Sequence, residues 1–159
     1  MAGPMRVCIL LGSKSDKPVA EKAVAVLKDF DVDYGVYVAS AHRSPVRVEE
    51  IVKASGADVF IAIAGVSAAL PGAVAAITTK PVIGVPVSGK VNLDAILAIV
   101  QLPPGVPSAC VGLDRGDNAA LLATQILAIG DATLADRLAA YKVKQAEKVA
   151  ADSKEVETL

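Results

Sequence analysis

Short β-branched runs alternate with longer stretches of helical apolar spacing along this chain, and that alternation restricts its fold more than any other feature. Val7–Leu11, Tyr34–Val38, Val59–Ala64, Pro81–Val85 and Ser108–Val111 read as five strands. Helices are expected over Asp16–Phe30, Pro45–Ala54, Leu70–Ile77, Leu93–Val100, Asn118–Ile129 and about Thr133–Ala151. Within the first of these, Ala20, Ala23, Val24 and Leu27 recur at the spacing of one helix face. The run Val59-Phe60-Ile61-Ala62-Ile63-Ala64 is apolar on both faces, the mark of a central strand in a parallel sheet covered by helices on both sides. Strand–helix units with short connections build an open, doubly wound α/β sheet, flavodoxin-like or Rossmann-like. No linker, low-complexity tract or further repeat interrupts the pattern. Residues 1–159 therefore read as a single domain, with a core over about 6–130 and a C-terminal helical arm and tail over about 131–159.

Hydrophobic residues make up 53% of the chain, yet it contains two Phe, three Tyr and no Trp. The apolar mass is Ala, Val, Ile and Leu, which suits helices packed closely on a parallel sheet. Apolar area is left to spare, so burial between copies in a homo-oligomer is expected. Sixteen Lys and Arg against seventeen Asp and Glu give a net charge of −1. That balance offers no basic stripe to neutralise nucleic-acid phosphates. Cys8 and Cys110 lie in apolar runs and read as buried, reduced thiols. With one His and two separated Cys, no zinc-ligand spacing exists, and no metal is expected. The segment Met1-Ala2-Gly3-Pro4-Met5-Arg6 carries no basic stretch followed by a long apolar one, and no apolar run reaches a bilayer span free of Gly, Pro or charge. The chain is expected to be cytoplasmic and soluble, with neither membrane nor nucleic acid as partner.

Ligands of open α/β sheets bind beyond the carboxyl ends of the strands. Three unusual loops fall there. Gly12-Ser13-Lys14-Ser15-Asp16 offers a glycine, hydroxyls and the free N–H groups of a helix start, a set suited to an anion. Asp16 reads either as a helix cap or as an acceptor for sugar hydroxyls beside a phosphate. Ser40-Ala41-His42-Arg43-Ser44 carries a guanidinium fork suited to phosphate. It also carries the only histidine, the one side chain poised to move a proton near neutral pH. Gly65-Val66-Ser67-Ala68-Ala69-Leu70-Pro71-Gly72 is rich in small residues, which admits a flat ligand close to the backbone or a helix close to the sheet. At its start and within it, Ala64, Gly65, Ala69 and Leu70 are expected to face the ligand.

A fourth segment is a decoy. Gly84-Val85-Pro86-Val87-Ser88-Gly89-Lys90-Val91 matches the spacing of a nucleotide-binding phosphate loop. Val91 stands where Ser or Thr would hold magnesium, and Pro86 removes a backbone donor. The glycine pattern of dinucleotide-binding enzymes is also missing after the first strand.

Gly12-Ser13-Lys14-Ser15-Asp16, Ser40-Ala41-His42-Arg43, Leu70-Pro71-Gly72, Gly84-Val85-Pro86-Val87, Gln101-Leu102-Pro103-Pro104-Gly105 and Asn118-Ala119-Ala120-Leu121-Leu122-Ala123 follow in that order. Together they resemble the class I N5-carboxyaminoimidazole ribonucleotide mutases of purine biosynthesis (the PurE family), from about Arg6 to Leu138. The resemblance implies a flavodoxin-like, three-layer subunit, a homo-octamer, no metal or organic cofactor, and a ribonucleotide substrate whose carboxyl group passes as CO2 from N5 to C4. It implies that Ser13, Ser15, Asp16 and Arg43 hold the phosphate and ribose, that Ser40 and Ala41 line the same cleft, and that His42 is the general acid and base. Two positions depart from the family pattern. Ala69 stands where a histidine usually precedes Leu-Pro-Gly, and the Ser88–Leu93 loop lacks the customary glycine before Leu93-Asp94. Direct carboxylation of aminoimidazole ribonucleotide by CO2, as in class II relatives, and a weakly active protein that still binds a phosphoribosyl ligand are the competing readings.

Overall fold

All five strands run parallel in one sheet of order β2-β1-β3-β4-β5. They are β1 (Val7–Leu11), β2 (Tyr34–Val38), β3 (Val59–Ala64), β4 (Val82–Pro86) and β5 (Ala109–Cys110). The helices are α1 (Lys17–Asp29), α2 (Pro45–Ala54), α3 (Leu70–Ala75), α4 (Asn92–Val100), α5 (Gly116–Ala128) and α6 (Ala132–Val156). This computed structural model describes residues 5–157; residues 1–4, on which much of the N-terminal reading rests, and 158–159 lie outside the described residues. The strand order is the flavodoxin-like one. Its direction reverses at β1, between β2 and β3, and a crevice opens there at the carboxyl ends of the strands.

Alternating side chains divide the core into two layers. Val7, Ile9 and Leu11 of β1 join Val59, Ile61 and Ile63 of β3 beneath α1, α5 and the start of α6. Cys8 and Leu10 join Phe60, Ala62 and Ala64 beneath α2, α3 and α4. Small residues bring α1 and α5 together, with Ala20, Ala23, Ala119, Ala120 and Ala123 all buried. At the start of α5 the approach is closest: a Cβ on Gly116 would lie 2.0 Å from the Val19 carbonyl oxygen. Pro18, Pro45 and Pro71 each sit in the first turn of a helix, where the missing N–H has no partner to lose.

Several boundaries differ from those the sequence pattern predicts. The last strand shrinks from Ser108–Val111 to Ala109–Cys110. Pro107 offers no N–H before it, and after Val111 donates to the Gly84 carbonyl at 3.2 Å the chain turns, with Arg115 N–H on the Gly112 carbonyl at 3.1 Å. On this edge strand Cys110 is only half-buried, which corrects the expectation of a buried thiol; Cys8, on central β1, is fully buried. Burial pushes the Cys8 thiol up to about 12, so it behaves as a hydrophobe. A short 3-10 turn over Lys14–Asp16 delays α1 by one residue. Helix α6 continues five residues past Ala151, because no Gly or Pro follows Gly130 to stop it. Asp131 caps α6, accepting from the Leu134 N–H at 3.2 Å. From Lys142 to Glu157 every residue is exposed, so the arm leaves the core.

Candidate active site

The crevice at the carboxyl ends of β1, β2 and β3 collects the three loops. Gly12 continues β1 by donating to the Ile63 carbonyl at 2.9 Å. The Ser13 hydroxyl then accepts from the Ser15 N–H at 3.4 Å, and Asp16 Oδ2 accepts from the Ser13 N–H at 2.9 Å. This reciprocal cap ties the loop into a closed turn. The Ser15 hydroxyl stands 3.4 Å from Asp16 Oδ1. Asp16 is 6% exposed. Burial pushes its carboxyl above the usual range, and the Ser13 N–H, the Ser15 hydroxyl and the Arg43 charge only partly oppose that.

The second loop is internally braced. Ser44 Oγ accepts from the Ser40 N–H at 3.0 Å, and the Ser44 N–H returns to the Ser40 carbonyl at 2.9 Å. Ser40 Oγ accepts from the Arg43 N–H at 3.3 Å and from Arg43 Nε at 3.2 Å. Arg43 Nη2 reaches across to the Gly12 carbonyl at 2.9 Å, stitching the first two loops together. Its other guanidinium N–H groups are left for a ligand. His42 is exposed on the crevice wall. Among the described residues its ring has no hydrogen-bond partner, so both nitrogens are open to a substrate.

The third loop is strained. Val66 and Ala68 hold φ of 54° and 29°, left-handed values that cost a β-branched or alanine residue free energy. The turn is closed by the Ala68 N–H on the Gly65 carbonyl at 2.9 Å. Together the loops enclose a cleft of about 330 Å3. Gly12, Ser13, Ser15 and Asp16 line one side of it, Ser40, Ala41, His42 and Arg43 another, and Ala64, Gly65, Ala69 and Leu70 the third. All the residues singled out from the sequence are thus brought together, and Val66, Ser67 and Ala68 join them.

Residues 6–148 match the family model described as AIR carboxylase. The chain belongs to the AIR carboxylase family. It is 57% identical over 154 residues to the N5-carboxyaminoimidazole ribonucleotide mutase of Methanocaldococcus jannaschii, covering 96% of this chain and 98% of that one. It is 44% identical to the phosphoribosylaminoimidazole carboxylase of Saccharomyces cerevisiae over 96% of its own length and 28% of the yeast chain. Among solved structures, a serine-to-aspartate variant of Treponema denticola PurE2 superposes with a TM-score of 0.85 at 32% identity, covering 95% of this chain and 98% of that one.

In this AIR carboxylase family member the cleft continues into a second hollow of about 280 Å3, which shares Ser15, Asp16, Gly65 and Val66 and is walled by Val87–Val91. In the sequence this segment reads as a false phosphate loop and as part of a loop that lacks the customary glycine before Leu93-Asp94, not as a wall of the site. The signal that could have found it is its position, directly after β4 and beside β3. Asp114 holds the wall in place, accepting from the Ser88 N–H at 2.9 Å and from the Ser88 hydroxyl. Those two bonds hold the Asp114 carboxyl below its usual 3.8. The bonds therefore stabilise the fold at neutral pH and are lost only as acid titrates through that lowered value. Among the described residues no group of three or more His, Cys, Asp or Glu is placed to hold a metal ion, and no helix is long and apolar enough to cross a membrane.

The raised Asp16 carboxyl has a measurable consequence. Its ionised form costs the fold stability as pH rises from 3.8 through its higher folded value. Asp16→Asn keeps an acceptor for the Ser13 N–H while removing the buried charge. Its melting temperature at pH 7 is expected to equal or exceed that of the parent, with the difference shrinking as pH falls towards 3. A clear loss of stability at pH 7 would show the ionised carboxylate to be required by the fold.

Proposed function

We propose that this chain is an N5-carboxyaminoimidazole ribonucleotide mutase, moving the carboxyl group from N5 to C4 to give 4-carboxy-5-aminoimidazole ribonucleotide in de novo purine synthesis. The observation that carries this reading is the meeting of the capped Ser13–Asp16 loop with His42 and Arg43 in one cleft, in a chain 57% identical to a named mutase.

The Ser13 and Ser15 hydroxyls and Arg43 take the phosphate, and Asp16 accepts from the ribose hydroxyls. Ser40 and Ala41 line the same pocket, while Ala64, Gly65, Ala69 and Leu70 lie against the flat base. His42, protonated, gives its proton to N5; the N5–carboxyl bond breaks and releases CO2 and the neutral aminoimidazole. The electron-rich C4 then attacks the trapped CO2, forming the carbon–carbon bond. The neutral imidazole removes the C4 proton, restoring the aromatic ring and its own protonated state. Holding CO2 beside C4 makes the second step effectively intramolecular. The steps are proton transfers, one loss of CO2 and one addition of CO2, with no change of oxidation state, so the scheme calls for no cofactor. A single-domain cytoplasmic enzyme assembled as a homo-octamer completes the proposal; apolar residues left exposed, such as Ile129 and Leu93, support association.

The test offers purified protein either the N5-carbamate at low bicarbonate or aminoimidazole ribonucleotide with excess bicarbonate, following the C4 carboxylate by absorbance. Turnover of the first supports the mutase; turnover of the second alone replaces it with the direct carboxylase. Ala69 motivates a second reading, a weakly active ribonucleotide binder. On the mutase reading Ala69→His changes kcat by less than about threefold, whereas a rise beyond about tenfold would favour the weak binder.

A further inference from the structure

Among the described residues, one cation lines the second hollow. Its wall is fixed at both ends: Asp114 grips Ser88, and Asn92 Oδ1 accepts from the Gly89 N–H at 2.7 Å. Between these anchors Lys90 is exposed and lines the hollow, with no hydrogen-bond or ion-pair partner among the described residues. Among the described residues the only other charged one lining it is Asp16, which the hollow shares with the main cleft. Arg43 lies on the main-cleft side of Asp16 and Lys90 on the other.

A ribonucleotide with a phosphate and a carboxylate is polyanionic, and the Asp16 carboxylate in the middle of the site repels it. Arg43 brings a single positive charge against a ligand with two anionic groups beside Asp16, and two of its N–H groups are already engaged by Ser40 and Gly12. We infer that Lys90 is a second substrate-binding cation, neutralising an oxyanion of the bound ribonucleotide across Asp16 from Arg43, and that Asp114 is the positioning residue that holds its loop against the cleft. This rests on the function proposed above. A lysine suits the task as a compact, mobile point charge on an otherwise fixed loop.

The experiment compares parent, Lys90→Met, Lys90→Arg and Asp114→Ala proteins at low and high ionic strength. Lys90→Met is expected to raise KM for the N5-carbamate about tenfold at low salt while lowering kcat far less, with the difference narrowing as salt rises. Lys90→Arg should recover most of the loss, and Asp114→Ala should raise KM in the same direction. Calorimetric titration with aminoimidazole ribonucleotide, which keeps the phosphate and lacks the carboxylate, names the oxyanion. Equal weakening of both ligands by Lys90→Met assigns the phosphate; weakening of the carbamate alone assigns the carboxylate. An unchanged KM in Lys90→Met, with the parent active, overturns the inference and leaves the mutase intact. A parent that turns over neither substrate removes the mutase reading. The Lys90 inference then stands only if Lys90→Met weakens aminoimidazole ribonucleotide in the titration, and falls if it does not.

Discussion

Replacing His42 by Asn is expected to lower kcat by about 100- to 10,000-fold, the usual worth of a positioned general acid–base, while the protein still folds and binds ribonucleotide. The ring is exposed and packs into neither core layer, so its removal leaves no cavity. Asparagine preserves polarity and approximate size but cannot carry a proton between N5 and C4. The decisive comparison is kcat against the dissociation constant for aminoimidazole ribonucleotide, measured on the same preparation. A variant that keeps full turnover would remove His42 from the mechanism. Because Ala69 supplies no imidazole to the cleft, the residual activity of His42→Asn should approach that of the ring-free site.

Gly116→Ala is expected to damage stability rather than chemistry. The added Cβ would lie 2.0 Å from the Val19 carbonyl oxygen and 3.3 Å from the Ala23 nitrogen, both backbone atoms. No rotamer can relieve that overlap; α5 must move away from α1 and loosen the alanine contacts behind it. A cost of about 3 kcal/mol is expected, at the upper end of overpacking effects. That corresponds to a fall in melting temperature of roughly 6–12 °C for a chain of this size. Asn118→Ala, exposed in the next position pair of the same helix, is the control and should change it little. An unaltered melting temperature in Gly116→Ala would mean that α1 and α5 are not held as closely as the structure has them.

The topology was legible because its signals are strong and local. The doubly apolar run of β3 could only be a covered central strand, and the regular alternation of strand and helix left few ways to wind the sheet. The cleft was legible for a related reason: sheet topology places the loops after β1, β2 and β3 on one edge, so residues far apart in sequence could be grouped before any coordinates. What escaped notice was set by tertiary partners. Nothing local announces that Arg43 donates to the Gly12 carbonyl, 31 residues away, since that bond depends on how two loops meet. Nor does the Ser88–Lys90 wall stand out, because its partner Asp114 lies 26 residues away. The shortness of β5 and the half-exposure of Cys110 follow from its edge position, which strand propensity alone does not encode.

The left-handed backbone at Val66 and Ala68 bears on how this enzyme can be improved or can drift. Substituting glycine there would relieve the strain, so a search for thermostable variants will tend to find such changes. The same relief would let the loop sample other shapes, and ligand would then have to reorder it on every encounter. Hardening the protein and keeping its affinity are therefore opposed at these two positions. Stabilising changes are better sought on the far faces of the helices, where no backbone torsion is shared with the cleft.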